Sequence, residues 1–288
     1  MSSIHPALWV VATPLGNPGD LSPRAREVLS TADMILCEDT RRTGRLLHVL
    51  GIVAGRLQSL HEYNEVERIP NVIALLAGGV RVALVSDAGT PLLSDPGYRL
   101  VRACREAGLR VVPIPGPSAI TTLLMAAGLP PYPFMFFGFL PRGRGERQTL
   151  FAAYAWVPVT LVFFERKSRL ADSLEVAYAV MGPREFCIGR ELTKIHEEFI
   201  FGRLGRWEGA AGELLGEITV AVGPLRSGSV VKERMSESVV DAAIRFEAVI
   251  GGSLRDIAGR VRSKAPGWTS KELYQRVWLL AADQRGKY

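Results

Sequence analysis

The sequence is poor in the residues that build metal centres and covalent cross-links. It has three cysteines and four histidines among 288 residues. Cys37, Cys104 and Cys187 lie far apart along the chain, so we interpret them as buried free thiols in a reducing compartment and not as disulfides. The histidines show none of the short spacings at which metal ligands recur. We therefore expect a cytoplasmic protein without a metal site.

Long hydrophobic runs are also missing, and we expect no targeting segment. The beginning of the chain lacks the basic start and the apolar segment of a secretory signal. Residues 111–141 carry no charge, yet seven prolines interrupt them, and prolines at that density break a membrane-spanning helix. This stretch is therefore expected to form core or a dimer face.

The usual nucleotide-binding fingerprints are absent as well. Gly143-Arg144-Gly145 lacks the third glycine of a dinucleotide-binding loop, because position 148 is glutamine, and no strand precedes it at the right distance. The chain has no P-loop. A ligand site has to be sought in other loops.

Four short apolar segments have the composition of buried strands, and each is followed by a loop of polar residues, glycine or proline. The strands are predicted at 8–12, 34–37, 81–85 and 110–114, and the loops at 13–20, 38–42, 86–91 and 115–119. Open α/β sheets bind ligands at the edge where such strands end. In the loop Ser86-Asp87-Ala88-Gly89-Thr90-Pro91, small residues let the backbone approach a ligand, and Asp87 offers an acceptor. The alternative is ordinary turns, because Gly, Ser and Asp favour turns anyway.

The alternation of strands and helices predicts an α/β fold of two domains followed by a helical tail. An N-terminal α/β domain is expected over 1–128, with a helix from Ser94 to Ala107. A C-terminal α/β domain is expected over 133–225, with strands at 134–138, 159–164, 185–190 and 217–222 and helices at 146–155 and 168–180. Gly and Pro between 128 and 133 mark the boundary. The tail, 235–288, is predicted to hold helices at 236–250, 253–263 and 269–284, of which the last two resemble a helix-turn-helix.

The net charge of +6 is concentrated at the end of the chain, where residues 251–288 carry eight basic and three acidic side chains. A basic segment on a nearly neutral body favours a polyanionic partner such as RNA. A solvated helical surface is the alternative.

Five motifs of the first half, taken in order, resemble those of the tetrapyrrole-methylase superfamily. They are Ala12-Thr13-Pro14-Leu15-Gly16-Asn17, Glu38-Asp39-Thr40-Arg41, Ser86 to Pro91, Asp95-Pro96-Gly97-Tyr98 and Pro115-Gly116-Pro117-Ser118. Further matches follow at Gly138-Phe139-Leu140-Pro141, Phe163-Phe164-Glu165, Arg190-Glu191-Leu192-Thr193-Lys194 and Gly216-Glu217. Within the superfamily the chain is similar to the bacterial enzymes that methylate a ribose of 16S rRNA. The resemblance covers roughly residues 8–223.

The resemblance implies a fold of two α/β domains with a cleft between them, of the class III methyltransferase type, and S-adenosylmethionine as cofactor. Carried over position by position, the cofactor-binding residues are expected to be Leu15, Asp87, Ala88, Gly89, Thr90, Ser118, Ala119, Phe164, Glu165, Glu191 and Leu192. The resemblance also implies a homodimer that methylates the 2′-hydroxyl of a cytidine in the decoding region of 16S rRNA on the small ribosomal subunit. Core packing is the alternative role for Phe164 and Leu192.

A ribose hydroxyl is a poor nucleophile, so a nearby base or cation is expected to assist. Lys194, Glu38 and Asp39 are the candidates for this catalytic role, although an ion-paired or phosphate-binding lysine is an alternative for Lys194. Two arginine clusters are expected to contact RNA phosphates, unless they are merely exposed basic loops. They are Arg41, Arg42 and Arg45, and Arg142, Arg144 and Arg147.

Two other functions stay open. One is a corrinoid or porphyrinoid methyltransferase of the same fold, although those enzymes carry Gly-Asp-Pro where this chain has Ser86-Asp87-Ala88 and have no need of a basic tail. The other is a non-catalytic RNA-binding module, against which the intact loops argue.

Overall fold

The structure, a computed structural model, describes residues 7–206, 216–225, 235–262, 264–265 and 267–285. It divides into two compact units. The first comprises Met1–Thr122 together with Glu191–Glu198, and the second comprises Leu123–Arg190 and Phe199–Tyr288. No helix among the described residues is long and apolar enough to cross a membrane.

The first unit is a parallel sheet with helices between its strands. The strands are β1 (Leu8–Val11), β2 (Met34–Cys37), β3 (Arg56–Ser59), β4 (Val82–Val85) and β5 (Val111–Ile114), in the spatial order β3-β2-β4-β1-β5. The helices are α1 (Pro23–Thr31), α2 (Thr40–Val49), α3 (Glu65–Ala77) and α4 (Tyr98–Glu106), and α5 (Ala119–Ala126) crosses the division between the units after Thr122. Each pairing between neighbouring strands is parallel, so the loops that follow the strands gather at one edge.

Alternation along the strands supplies a core on each face of this sheet. Trp9 and Val11 point into one buried cluster, whereas Leu8 points into the other. The strands β2 and β4 are buried throughout, as expected for a sheet covered on both faces. All three cysteines are free and buried, which confirms the prediction that they are buried thiols. Burial raises the pKa of Cys104 and Cys187 to about 11.

Local signals account for several helix starts. The Ser22 side chain accepts a hydrogen bond from the Ala25 amide, and proline occupies the first helical position of α1. The predicted start of α4 at Ser94 was wrong, because the helix begins at Tyr98. Leu92 and Ser94 adopt positive φ angles, so the chain turns back before the helix begins. A β-carbon at Gly97 would lie 2.6 Å from Leu84 Cδ2, which explains why only glycine fits there.

The second unit contains a mixed sheet. Its strands are β6 (Phe134–Phe139), β7 (Thr160–Glu165), β8 (Glu185–Arg190), β9 (Glu198–Arg203) and β10 (Ile218–Val222), in the order β6-β7-β10-β8-β9. The pairing of β6 with β7 is parallel, and β10 is antiparallel to both β7 and β8. The sequence correctly predicted four of these strands and missed β9, as it missed β3 in the first unit.

Helices α6 (Arg144–Tyr154) and α7 (Lys167–Met181) accompany this sheet, and α8 (Glu237–Ile250), α9 (Leu254–Arg262) and α10 (Ser270–Arg285) follow it. The last three share a core that includes Val240, Ile257 and Leu273. The Thr269 hydroxyl accepts from the Glu272 amide, and the Glu272 carboxylate accepts from Thr269 in return. This reciprocal capping explains why the start of α10 could be predicted from the sequence.

Candidate functional site

The loops after β1 and β4 are joined by backbone hydrogen bonds. The Thr13 amide donates to the Gly89 carbonyl at 2.9 Å, and the Gly89 amide donates to the Thr13 carbonyl at 3.0 Å. The Thr13 hydroxyl, buried beneath them, donates to the Ser86 carbonyl. The two most polar loops of the sheet edge are thus fixed to one another, as expected of a constructed site and not of separate turns.

The loop after β5 joins the same group. The Thr90 hydroxyl donates to the Pro117 carbonyl at 3.0 Å. Gly89 has a φ of +79°, and a β-carbon there would lie 3.0 Å from Leu15 Cδ2. A β-carbon at Gly116 would lie 3.1 Å from the Ala12 Cβ. Because these glycines allow close approach, three loops present their backbone together.

Asp87 is the charged centre of this edge. Its carboxylate accepts from the Asp39 amide at 3.3 Å and from Arg42 Nη1 at 3.1 Å. Asp39, predicted as a catalytic candidate, is occupied as the N-cap of α2, where it accepts from the Arg41 and Arg42 amides. These backbone hydrogen bonds lower the pKa of Asp39. Its side chain therefore acts in positioning α2.

A group of carboxyl side chains lies at the same edge. Burial, together with repulsion from Glu38 and Asp87, raises the pKa of Asp95 to about 7. Burial and the charge of Asp87 also raise the pKa of Glu38. A carboxyl that titrates near neutral pH suits proton transfer. From the sequence, Asp95 was only part of a motif and had no assigned role, because its burial and its repulsion from Glu38 and Asp87 arise only in the folded chain.

The segment Glu191–Glu198 lies between β8 and β9 in the sequence but packs with the first unit. The Asn17 amide donates to Thr193 Oγ1 at 3.1 Å. The Lys194 side chain covers Gly16, where a β-carbon would lie 2.1 Å from Lys194 Cγ. Lys194 Nζ also pairs with Glu191 Oε1 at 2.9 Å. The fold therefore brings the expected residues Glu191, Leu192 and Lys194 to the loop after β1.

In the second unit, the two expected cofactor contacts have different surroundings. Phe164 is half-buried, and its ring centroid lies 5.0 Å from that of Phe136 and 5.4 Å from that of Phe139. Glu165 is buried, and its carboxylate accepts from Ser173 Oγ and pairs with Arg169 at 2.6 Å. The expectation that the Glu165 side chain contacts a ligand is corrected, because its carboxylate is fully buried and both of its oxygens accept hydrogen bonds within this unit.

The first arginine cluster is exposed on α2, at Arg41, Arg42 and Arg45. Of the second cluster, Arg142 is exposed, whereas Arg144 pairs with Asp172.

Arg147 does not fit the predicted RNA-binding role. It is only 2% exposed, pairs with Asp172 and donates to the carbonyls of Pro141 and Arg142. Arg147 therefore holds the loop of Pro141 and Arg142 in place. The prediction that Arg147 contacts RNA is corrected to a structural role.

The basic tail is less available than its composition indicated. Glu247, almost fully buried, pairs with Arg260 and Lys264. Arg276 pairs with Asp241 at 2.5 Å. Glu247 and Asp241 lie on α8, which precedes the basic segment 251–288. Part of the positive charge of that segment is therefore neutralised within the helical bundle. Lys287 lies outside the described residues.

Comparison with known proteins places this geometry in a family. The sequence profile described as Tetrapyrrole (Corrin/Porphyrin) Methylases matches residues 7–207. A protein of Mesorhizobium japonicum named "Ribosomal RNA small subunit methyltransferase I" is 51% identical over 278 residues, which cover 95% of this chain and 92% of the relative. A protein of Mycobacterium bovis with the same name is 42% identical, with 94% of each chain covered.

Among solved structures, the methyltransferase CobJ matches with a TM-score of 0.60 at 20% identity, over 77% of this chain and 97% of that chain. At this identity the likeness shows the fold alone. The profile match ends at residue 207, before the helical bundle begins.

Proposed function

Because the chain belongs to the tetrapyrrole methylase family, we propose that it transfers a methyl group from S-adenosylmethionine to the RNA of the small ribosomal subunit. The observation that carries the proposal is the 51% identity to a relative named as a small-subunit rRNA methyltransferase, over 95% of this chain. The acceptor we propose is the 2′-hydroxyl of cytidine 1402 in the usual rRNA numbering.

The strand-end loops of the first unit fit the donor. Because Gly89 and Gly116 have no side chains, their own backbone groups are open to close approach by the donor. The Thr90 hydroxyl donates to the Pro117 carbonyl, which leaves its oxygen able to accept. The Asp87 carboxylate, partly exposed, retains capacity to accept from hydroxyl or ammonium groups.

We assign the donor to loop residues of the first unit. The loop residues are Leu15, Asp87, Ala88, Gly89, Thr90, Ser118, Ala119, Glu191 and Leu192.

When bound, S-adenosylmethionine supplies a methyl group on a positively charged sulfur. The chain contributes the alignment of donor and acceptor. Holding two reactants in the right geometry can lower the activation free energy by up to about 7–11 kcal/mol. The rigid loop pairing of Thr13 with Gly89 provides such alignment.

The acceptor hydroxyl also has to lose a proton. We propose that Asp95, with Glu38 beside it, accepts this proton, because burial raises the pKa of Asp95 to about 7. Lys194, held by Glu191 at 2.9 Å, positions the loop after β1 and stays the third candidate for assisting the hydroxyl.

We further propose that the enzyme is a cytoplasmic homodimer. The second unit exposes several large apolar side chains, among them Met125 (82%), Tyr132 (82%) and Phe139 (55%). An apolar surface of this kind supports association with a second copy.

The test is methyl transfer from labelled S-adenosylmethionine to 30S subunits isolated from cells that lack this gene, with naked 16S rRNA and a tetrapyrrole precursor as parallel substrates. We expect label in 30S rRNA, and its loss with Asp87→Asn. Label in the tetrapyrrole only, with donor binding intact, would show instead a corrinoid or porphyrinoid methyltransferase. Failure to bind the donor would point to a non-catalytic RNA-binding module.

A further inference from the structure

An open groove of about 640 Å³ lies beside the carboxyl edge of the first sheet. It shares Glu38, Asp39 and Asp87 with the polar side chains already described at that edge, and it extends from them to Ser59 of the edge strand β3. The residues that line it are Glu38, Asp39, Thr40, Arg41, Arg42, Ser59, His61, Tyr63 and Asp87.

The ring of Tyr63 is the unusual feature of this groove, because it is 94% exposed. A tyrosine that far exposed contributes almost nothing to packing in the folded chain. Its nearest described aromatic neighbour is His61, with ring centroids 6.2 Å apart and planes inclined at 61°. Two flat faces are thus offered to solvent or to a ligand at the groove wall.

The turn that carries these rings is held in place. The Asn64 side chain accepts from the His61 amide at 2.8 Å and lies 3.0 Å from His61 Nε2. The Asn64 amide in turn donates to the His61 carbonyl. A tyrosine mounted on an ordered turn loses little entropy when a flat ligand stacks on it.

The other residues that line the groove include both positively and negatively charged side chains. Arg41 and Arg42 lie in the first turn of α2 and are exposed, and their backbone is fixed by the Asp39 cap. Glu38, Ser59 and Asp87 add carboxylate and hydroxyl groups. A flat stacking face, guanidinium groups and polar side chains within one groove match the base, the phosphate and the base edge of an unpaired nucleotide.

We propose that this groove binds an unpaired nucleotide of the rRNA, with its base stacked on Tyr63 and its phosphate contacted by Arg41. The proposal rests on the proposed function and deepens it by assigning the residues that select single-stranded RNA. Double-stranded RNA is excluded from such a contact, because its bases are stacked on one another.

The first test is the kinetics of three variants on 30S subunits. Tyr63→Ala should raise the KM for the subunit at least fivefold, since a base stack is worth about a five- to hundredfold change in affinity. Tyr63→Phe keeps the ring and should stay within twofold of the wild type. Tyr98→Ala is the matched control, because Tyr98 is also exposed (64%) but lines a different depression. The affinity for S-adenosylmethionine should be unchanged in all three.

The second test locates the contact directly. 16S rRNA containing 5-iodouridine and 5-iodocytidine is bound to the wild-type protein, irradiated, digested and analysed by mass spectrometry. A cross-linked peptide containing Tyr63 or His61 supports the proposal. Cross-links confined to other peptides, or an equal loss in Tyr63→Ala and Tyr98→Ala, would overturn it.

The two failures are distinguishable. If the wild-type protein transfers no methyl group to rRNA, the proposed function fails whatever Tyr63 does. If it does transfer the group, and Tyr63→Ala leaves the KM unchanged, only the role of the groove fails.

Discussion

The side chain of Lys194 lies so close to Gly16 that a β-carbon at position 16 would be 2.1 Å from Lys194 Cγ. These residues are far apart in the sequence, and Lys194 follows a strand of the second unit. Its segment nevertheless packs with the first unit, where the Asn17 amide also binds Thr193. The missing side chain of Gly16 therefore allows the segment of Lys194 to reach the loop after β1.

Gly16→Ala should displace this segment. The atom that a new β-carbon would meet is near the base of the Lys194 side chain, so rotation at its far end does not relieve the contact. We expect methyl transfer to fall at least tenfold, with thermal stability changed by less than about 1 kcal/mol, because position 16 is exposed. The measurements are initial rates on 30S subunits and thermal melting. Gly145→Ala is the control, since nothing lies within 4 Å of a β-carbon there; equal activity in the two variants would contradict the account.

Asp95→Asn should stabilise the protein at neutral and alkaline pH. The folded-state pKa of Asp95, about 7, lies above the ordinary value of 3.8, so the folded chain holds the proton more tightly than the unfolded chain. Its contribution to stability is fully present below about pH 4 and is lost as the pH rises to about 7. Asparagine carries no such penalty, and we expect a gain of about 1–2 kcal/mol at pH 8, allowing for partial exposure.

Chemical denaturation of both proteins at pH 4.5 and pH 8 measures this difference. The gain should shrink at the lower pH, and methyl transfer should fall if Asp95 accepts the proton. An identical gain at both pH values would show that the raised pKa of Asp95, which burial and the charges of Glu38 and Asp87 cause, is not its source.

The two arginines Arg147 and Arg142 should separate stability from RNA binding. Arg147→Met removes the buried hydrogen bonds to the Pro141 and Arg142 carbonyls and the ion pair with Asp172, and should cost about 2–3 kcal/mol of unfolding free energy. Arg142→Ala should stay within about 0.5 kcal/mol of the wild type but weaken RNA binding and lower its salt slope by about 1. Urea unfolding and RNA binding at several salt concentrations measure both effects. The opposite pattern would restore Arg147 as an RNA contact.

Glu247→Gln should loosen the helical bundle. The buried carboxylate pairs with Arg260 at 2.6 Å and with Lys264, so its neutralisation removes the negative charge that both ion pairs share. We expect a loss of about 1–3 kcal/mol, measured by chemical denaturation. Glu175→Gln is the matched control, because Glu175 pairs with an arginine while 68% exposed, and pairs of that kind contribute about 0–1 kcal/mol. Equal losses in the two variants would contradict a structural role for Glu247.

The sequence predicts what depends on local composition. Apolar strands and the reciprocal cap of Thr269 each leave a signal within a few residues, and each was found. The strands β3 and β9 were missed because both are edge strands, and β3 reads Arg-Leu-Gln-Ser, without an apolar pattern.

The candidate site was predicted in its loops but not in its electrostatics. Asp87 could be chosen because it offers an acceptor in a loop of small residues after a buried strand, and Thr90 was expected from the family resemblance. The internal roles of Glu165 and Arg147 could not, because their partners Ser173 and Asp172 become neighbours only in the folded chain. The raised pKa of Asp95 has the same origin.

The most direct test of methyl transfer to a ribose is the chemical stability of the labelled product. Alkali cleaves RNA through attack by the free 2′-hydroxyl, and methylation of that hydroxyl blocks the cleavage. Labelled 30S rRNA is hydrolysed in alkali, and its products are separated and identified by mass spectrometry. We predict that the label appears in one alkali-stable dinucleotide whose first residue is cytidine. Label in mononucleotides would show methylation of a base and would contradict the central claim.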